Sequence, residues 1–163
     1  MGKEVVHKSS HCTWQIHYHV VFPVKYRRAL LDEEVVKIII ETAVEISERY
    51  DIEFERIGCD RDHIHLLCSA HPKVAPGQIV RVFKSITARE IFRRKLAVKR
   101  TLWGGEFWTD GYYVATVGEG GGWEVIERYV RNQGKPKEEF RQLKLSKNTP
   151  RSWRGVVYCA FRW

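Results

Sequence analysis

Two short apolar runs, residues 52–58 and 62–69, are separated only by the tight "CDRD", and a long stretch of helical periodicity lies on either side of them. Short runs joined by an Asp-containing turn predict a β-hairpin. Upstream, Val35, Ile39, Ala43 and Ile46 recur at helical spacing between Leu31 and Tyr50, with Asp32 placed to cap the start. Downstream, a helix is expected from about Pro76 to Ala97, with Ile79, Phe83 and Ile86 on one face and Arg81, Lys84 and Lys95 roughly opposite. "TWQIHYHVVF" at 13–22 and "GYYVATVG" at 111–118 read as further strands. The resulting order, βαββαβ, predicts an α+β fold of the ferredoxin-like or RRM-like kind, one antiparallel sheet with helices on one face. After "EGGG" a third helix is expected from Trp123 to Gln133, ended by Gly134 and Pro136. Residues 1–145 are expected to form a single domain, and residues 146–163 a tail without usable periodicity.

With 163 residues and 44% hydrophobic side chains the chain can build one real core. No stretch approaches the roughly 20 apolar residues of a membrane helix, and "MGKEVVHKSSHC" lacks the apolar centre of a signal peptide. A soluble, cytoplasmic protein is the expectation. Cys12, Cys59, Cys68 and Cys159 form no C-x-x-C pair, which argues against a zinc ribbon or a disulfide framework. The formal charge of +8 is concentrated: residues 73–100 hold nine Lys/Arg against one acid, Glu90. A solvated helix face usually carries both signs, so this segment suits a polyanion, nucleic acid first.

In "DHIHLL" the histidines 63 and 65 are two apart, so on a strand they share one face while Ile64, Leu66 and Cys68 point the other way. Two neighbouring imidazoles can share a divalent metal. His17 and His19 in "IHYHVVF" have the same spacing, so spacing alone leaves two candidate pairs. Their place at the start of the hairpin's return strand, beside the acidic turn, favours His63 and His65. In the third helix Tyr129 and Gln133 are one turn apart, beside a stripe of Trp123, Ile126 and Val130. A packed tyrosine and an exposed amide is the plain alternative. The chemical one is a phenolate that attacks a phosphodiester.

"DHIHLL" followed some sixty residues later by "ERYVRNQ" resembles the HUH motif and tyrosine helix of the single-tyrosine HUH transposases, the TnpA type of the simplest insertion sequences. "HYHVVFPVKYRR", "FKSITAREIF" and "LWGGEFWTDGYYVATVG" carry the resemblance across most of residues 11–135. It implies that His63, His65 and Gln133 ligate a metal, Mg²⁺ or Mn²⁺, and that Tyr129 is the nucleophile. It further implies a homodimer with composite active sites, single-stranded DNA folded into hairpins as substrate, and a covalent 5′-phosphotyrosine intermediate. Arg81, Lys84 and Arg89 are expected to lie along phosphates, and Trp103, Phe107 and Trp108 are candidates for base stacking, each equally compatible with the core. Gly118, Gly120, Gly121 and Gly122 are expected to form a hinge before the tyrosine helix. The alternatives are a replication-type or domesticated HUH nickase, and a non-catalytic RRM-like nucleic-acid-binding module.

Overall fold

The structure is a computed structural model. It describes residues 6–117 and, as backbone, the short strands Gln142–Leu143 and Tyr158–Cys159. The expected third helix with Tyr129 and Gln133, the expected hinge glycines 118 and 120–122, and most of the tail lie outside these residues.

The elements run β1 (His7–Lys8), β2 (Thr13–Trp14), β3 (His17–Pro23), α1 (Glu33–Tyr50), β4 (Ile52–Cys59), β5 (His63–Ala70), α2 (Pro76–Arg94), α3 (Leu96–Thr101) and β6 (Tyr113–Val117), then β7 (Gln142–Leu143) and β8 (Tyr158–Cys159). Four strands make one sheet in the order β4-β5-β3-β6, every neighbour antiparallel. The expected βαββαβ arrangement is therefore present, with the first long strand in the middle of the sheet.

Alternation decides the layers. Val20 and Phe22 of β3 and Ile64, Leu66 and Cys68 of β5 are fully buried on one face. There they meet Val35, Ile39, Ala43 and Ile46 of α1 and Ile79, Phe83 and Ile91 of α2 in one core. Phe83 meets Phe22 and Phe54 edge-on, the preferred aromatic geometry. Asp32 caps α1 as expected, its carboxylate accepting from the Val35 amide at 2.8 Å.

Two boundaries differ from expectation. The strand anticipated over 13–22 is divided, because Trp14 pairs with His7 in the β1–β2 ribbon and packs its ring on His7 and His71. The helix anticipated to Ala97 ends at Arg94. Lys95 leaves helical conformation (φ −127°, ψ 75°) where its ammonium pairs with Glu34 of α1, and the chain restarts as α3.

Candidate functional site

The sheet face opposite the helices carries the imidazoles. Register pairs Val21 with His65 and His19 with Leu67, so His19 and His65 are diagonal neighbours on that face. The two H-x-H motifs, which spacing alone made rivals, interlock: His19 Nε2 lies 3.2 Å from His65 Nδ1. The His63 ring is 4.9 Å from that of His65, at 69°. Tyr113 of β6 sets its ring edge-on to His19 at 6.3 Å. His17 is drawn aside by Glu55, whose carboxylate it meets through Nδ1 beside the irregular pairing at Phe54 and Arg56 of β4.

These are not wet imidazoles. His65 is 3% exposed and His19 4%. Burial, with lesser contributions from His63 and His19, pushes the His65 pKa down to about 3. Burial alone lowers that of His19 to about 4. Both rings are neutral near pH 7, the state in which imidazole binds a metal.

His63 is held differently. Its Nδ1 lies 2.6 Å from Asp62 Oδ1, and Asp62 Oδ2 accepts from Arg27 Nε at 3.1 Å. Arg27 reaches this position from a tight segment after β3 in which Tyr26 and Arg27 take left-handed φ values of 58° and 51°. The turn is fixed by its backbone too, since the Val24 amide donates to Asp62 O and the Leu31 amide to Arg61 O. With Nδ1 engaged by a carboxylate, Nε2 is the nitrogen of His63 suited to a metal, the arrangement usual for ligating histidines. Ligand atoms of Asp60, Asp62 and His63 all lie within 4.8 Å of one another. Because it is Nδ1 of His63 that faces these carboxylates, they orient the ring, and the nitrogens that would take a divalent cation are Nε2 of His63 and of its neighbour His65.

The basic segment is less one-signed in space than in sequence. Arg94 pairs with Glu41 of α1 as well as Glu90, Arg93 with Glu90, and Lys95 with Glu34. Arg81 and Arg89 are exposed and have no ion pair among the described residues. Lys84 is instead half-buried: its ammonium donates to the carbonyls of Thr109, Asp110 and Gly111 at 2.7, 3.2 and 2.9 Å. Desolvation holds its pKa below the ordinary lysine value. Of the aromatic candidates, Phe107 and Trp108 belong to the core at 1% and 4% exposure, which removes them as base-stacking surfaces. Trp108 donates through Nε1 to Thr87 Oγ1 at 2.9 Å. Trp103 stands 89% exposed ahead of Gly104 and Gly105, whose φ values of 89° and 72° make the tight turn there.

Sequence reasoning missed Arg27 and the coupling of His19 to His65. The signal for the second was present, as two H-x-H motifs in strands destined to pair; the signal for the first depended on a backbone turn no periodicity reveals.

Among known proteins, the family described as "Transposase IS200 like" matches residues 12–133. The ISDra2 transposase TnpA of Deinococcus radiodurans is 32% identical over 120 residues, covering 74% of this chain and 85% of that protein. The transposase for insertion sequence element IS200 of Salmonella typhimurium is 27% identical over 136 residues, covering 83% of this chain and 88% of its own. A crystal structure of a proposed transposase from Deinococcus radiodurans superposes with a TM-score of 0.65 at 28% identity, over 78% of this chain and 97% of that one.

Proposed function

The chain belongs to the IS200-like transposases, and from that premise we propose that it cuts and rejoins single-stranded DNA at hairpin-forming element ends through a covalent tyrosine intermediate. A DNA transposase is what the family establishes; the strand, the intermediate and the metal are the finer proposal. The observation that carries it is the buried histidine face, on which His63 and His65 sit side by side with each Nδ1 already engaged.

In this reading the Tyr129 oxygen attacks the scissile phosphorus, a P–O bond to tyrosine forms, and the bond to the 3′ oxygen breaks. That oxygen leaves as a hydroxyl, taking up a proton, and the 5′ phosphate stays on Tyr129. The 3′ hydroxyl of another cleaved strand later displaces the tyrosine, so the ester conserves the bond and no nucleotide is consumed. A bound Mg²⁺ or Mn²⁺ would supply Lewis-acid polarisation of the attacked phosphate. His63 and His65 would hold it, with Gln133 as third ligand; Arg27 and Asp62 keep His63 in the ligating tautomer. Arg81 and Arg89 would line the phosphates, while Lys84 acts on the protein itself.

A homodimer is proposed on the sheet's open margin. β6 pairs only with β3 within the described sheet, and Tyr113 and Val114 on it are 42% and 37% exposed. This strand leads directly into the glycine run 118–122, proposed as the hinge that carries the tyrosine helix to the partner's histidines.

Incubation with single-stranded element-end DNA and Mg²⁺ should give a protein–DNA adduct that survives SDS, and Tyr129→Phe should abolish it. An undiminished adduct in that variant removes Tyr129 as the nucleophile.

A further inference from the structure

We propose that His19 is a positioning residue for the metal site: it accepts a hydrogen bond from His65 Nδ1 and so fixes His65 in the tautomer that presents Nε2 as a ligand. The inference rests on the reading of His63 and His65 as metal ligands and extends it to a residue of the rival histidine motif.

The geometry decides what the His19–His65 contact is. The ring centroids are 5.5 Å apart, the ring planes differ by 10°, and the nearest nitrogens are 3.2 Å apart. The centroid separation exceeds the nitrogen separation by about two ring radii. Both nitrogens therefore lie close to the line joining the rings, and the imidazoles meet edge to edge in nearly one plane. Their lone-pair directions point at one another. A metal on that line would need the nitrogens about 4 Å apart, twice a metal–imidazole bond, so the contact has no room for an ion. It has the separation and alignment of one N–H···N hydrogen bond.

One of the two nitrogens must carry the proton. If His65 donates from Nδ1, its Nε2 holds a lone pair and is a ligand; if His19 donates from Nε2, the His65 proton sits on Nε2 and ligation is blocked. Metal binding at His65 therefore selects the first arrangement, with His19 protonated at Nδ1 and accepting at Nε2. Asp62 does the corresponding work for His63, where a carboxylate accepts from Nδ1 at 2.6 Å. The two ligand histidines are thus backed by different groups, one anionic and one neutral. Tyr113 lies edge-on beside the neutral one, 6.3 Å between ring centroids.

Partners of this kind typically change metal affinity by about 10–100-fold. Mn²⁺ titration followed by electron paramagnetic resonance should show His19→Phe binding about tenfold or more weakly than wild type. His19→Gln, which can place an amide oxygen at the same position, should recover most of the loss, and His17→Ala should bind as wild type does. Nitrogen-15 spectra of the Mg²⁺-loaded wild-type protein should show His65 protonated at Nδ1 with a scalar coupling across the hydrogen bond to His19 Nε2, a signature independent of how well any variant folds. His65 protonated at Nε2, or His19→Phe binding Mn²⁺ within twofold of wild type, overturns the proposal. The His63→Ala variant separates the two levels. If it binds Mn²⁺ as wild type does, the metal reading itself fails, whereas if it loses Mn²⁺ and His19→Phe does not, only the role of His19 is wrong.

Discussion

Asp62 takes Arg27 on one oxygen and His63 on the other, so a single carboxylate ties a strained loop to a candidate ligand. The neighbouring pair, His19 and His65, is instead held without charge, and that has a pH consequence. Both have folded pKa values, about 4 and about 3, below the ordinary 6.5. As pH falls from 6.5 towards 4 the unfolded chain takes up protons on these histidines while the folded one does not, so the stability they contribute is complete above 6.5 and is lost through that window. The melting temperature of metal-free protein in EDTA should fall by several degrees between pH 7 and 4.5, and the fall should be shallower in His19→Phe. An identical pH slope in the two proteins would contradict the buried neutral pair. Both histidine motifs were legible in the sequence, since alternation fixes which residues share a strand face. Their interlocking was not, because it depends on the register between β3 and β5, which neither strand encodes alone.

Among the elements, α1, the β4–β5 hairpin and all of α2 except its end point were legible because each carries its own periodicity and α1 its own cap. β6 was legible as well, within the strand expected over 111–118, but α3 and the segment between it and β6 were not. Trp108 is buried by distant partners, Phe22 edge-on to its ring and Thr87 accepting its N–H, and Phe107 meets Phe92 edge-on. Lys84 extends this long-range order: its three carbonyl contacts hold residues 109–111 against α2, and its ammonium sits 4.9 Å from the Phe22 ring and 5.5 Å from that of Tyr112. The same junction explains Gly77, where an added Cβ would come within 2.9 Å of the Tyr112 hydroxyl. Replacing Lys84 by Met removes hydrogen bonds from a charged donor and should cost about 1–2 kcal/mol in urea denaturation. DNA affinity should drop less for Lys84→Met than for Arg81→Ala or Arg89→Ala, measured at one salt concentration. A larger drop for Lys84 would return it to the phosphate-binding set.

For the whole molecule, the described residues supply one histidine face per chain, and the proposed nucleophile follows β6 across the glycine run. If the sites are composite, mixing Tyr129→Phe with His63→Ala protein under conditions that re-form dimers should restore cleavage, since one of the two sites then has an intact tyrosine and intact histidines. Mixed dimers that form yet stay inactive, beside an active wild type, would mean that each protomer works alone. The proposal of this division of labour rests on the family resemblance, since no periodicity within one chain can reveal which subunit supplies a residue. The strand order β4-β5-β3-β6 has a consequence of another kind, for synthesis. β3 leaves the ribosome early, yet its two sheet neighbours are encoded at 63–70 and 113–117. At about 5–20 residues per second, the nascent chain carries one backbone edge of β3 unpaired for several seconds before its last neighbour is made. Closure of the sheet therefore waits for β6, and the yield of this protein should depend on chaperones that shield the growing chain during that wait.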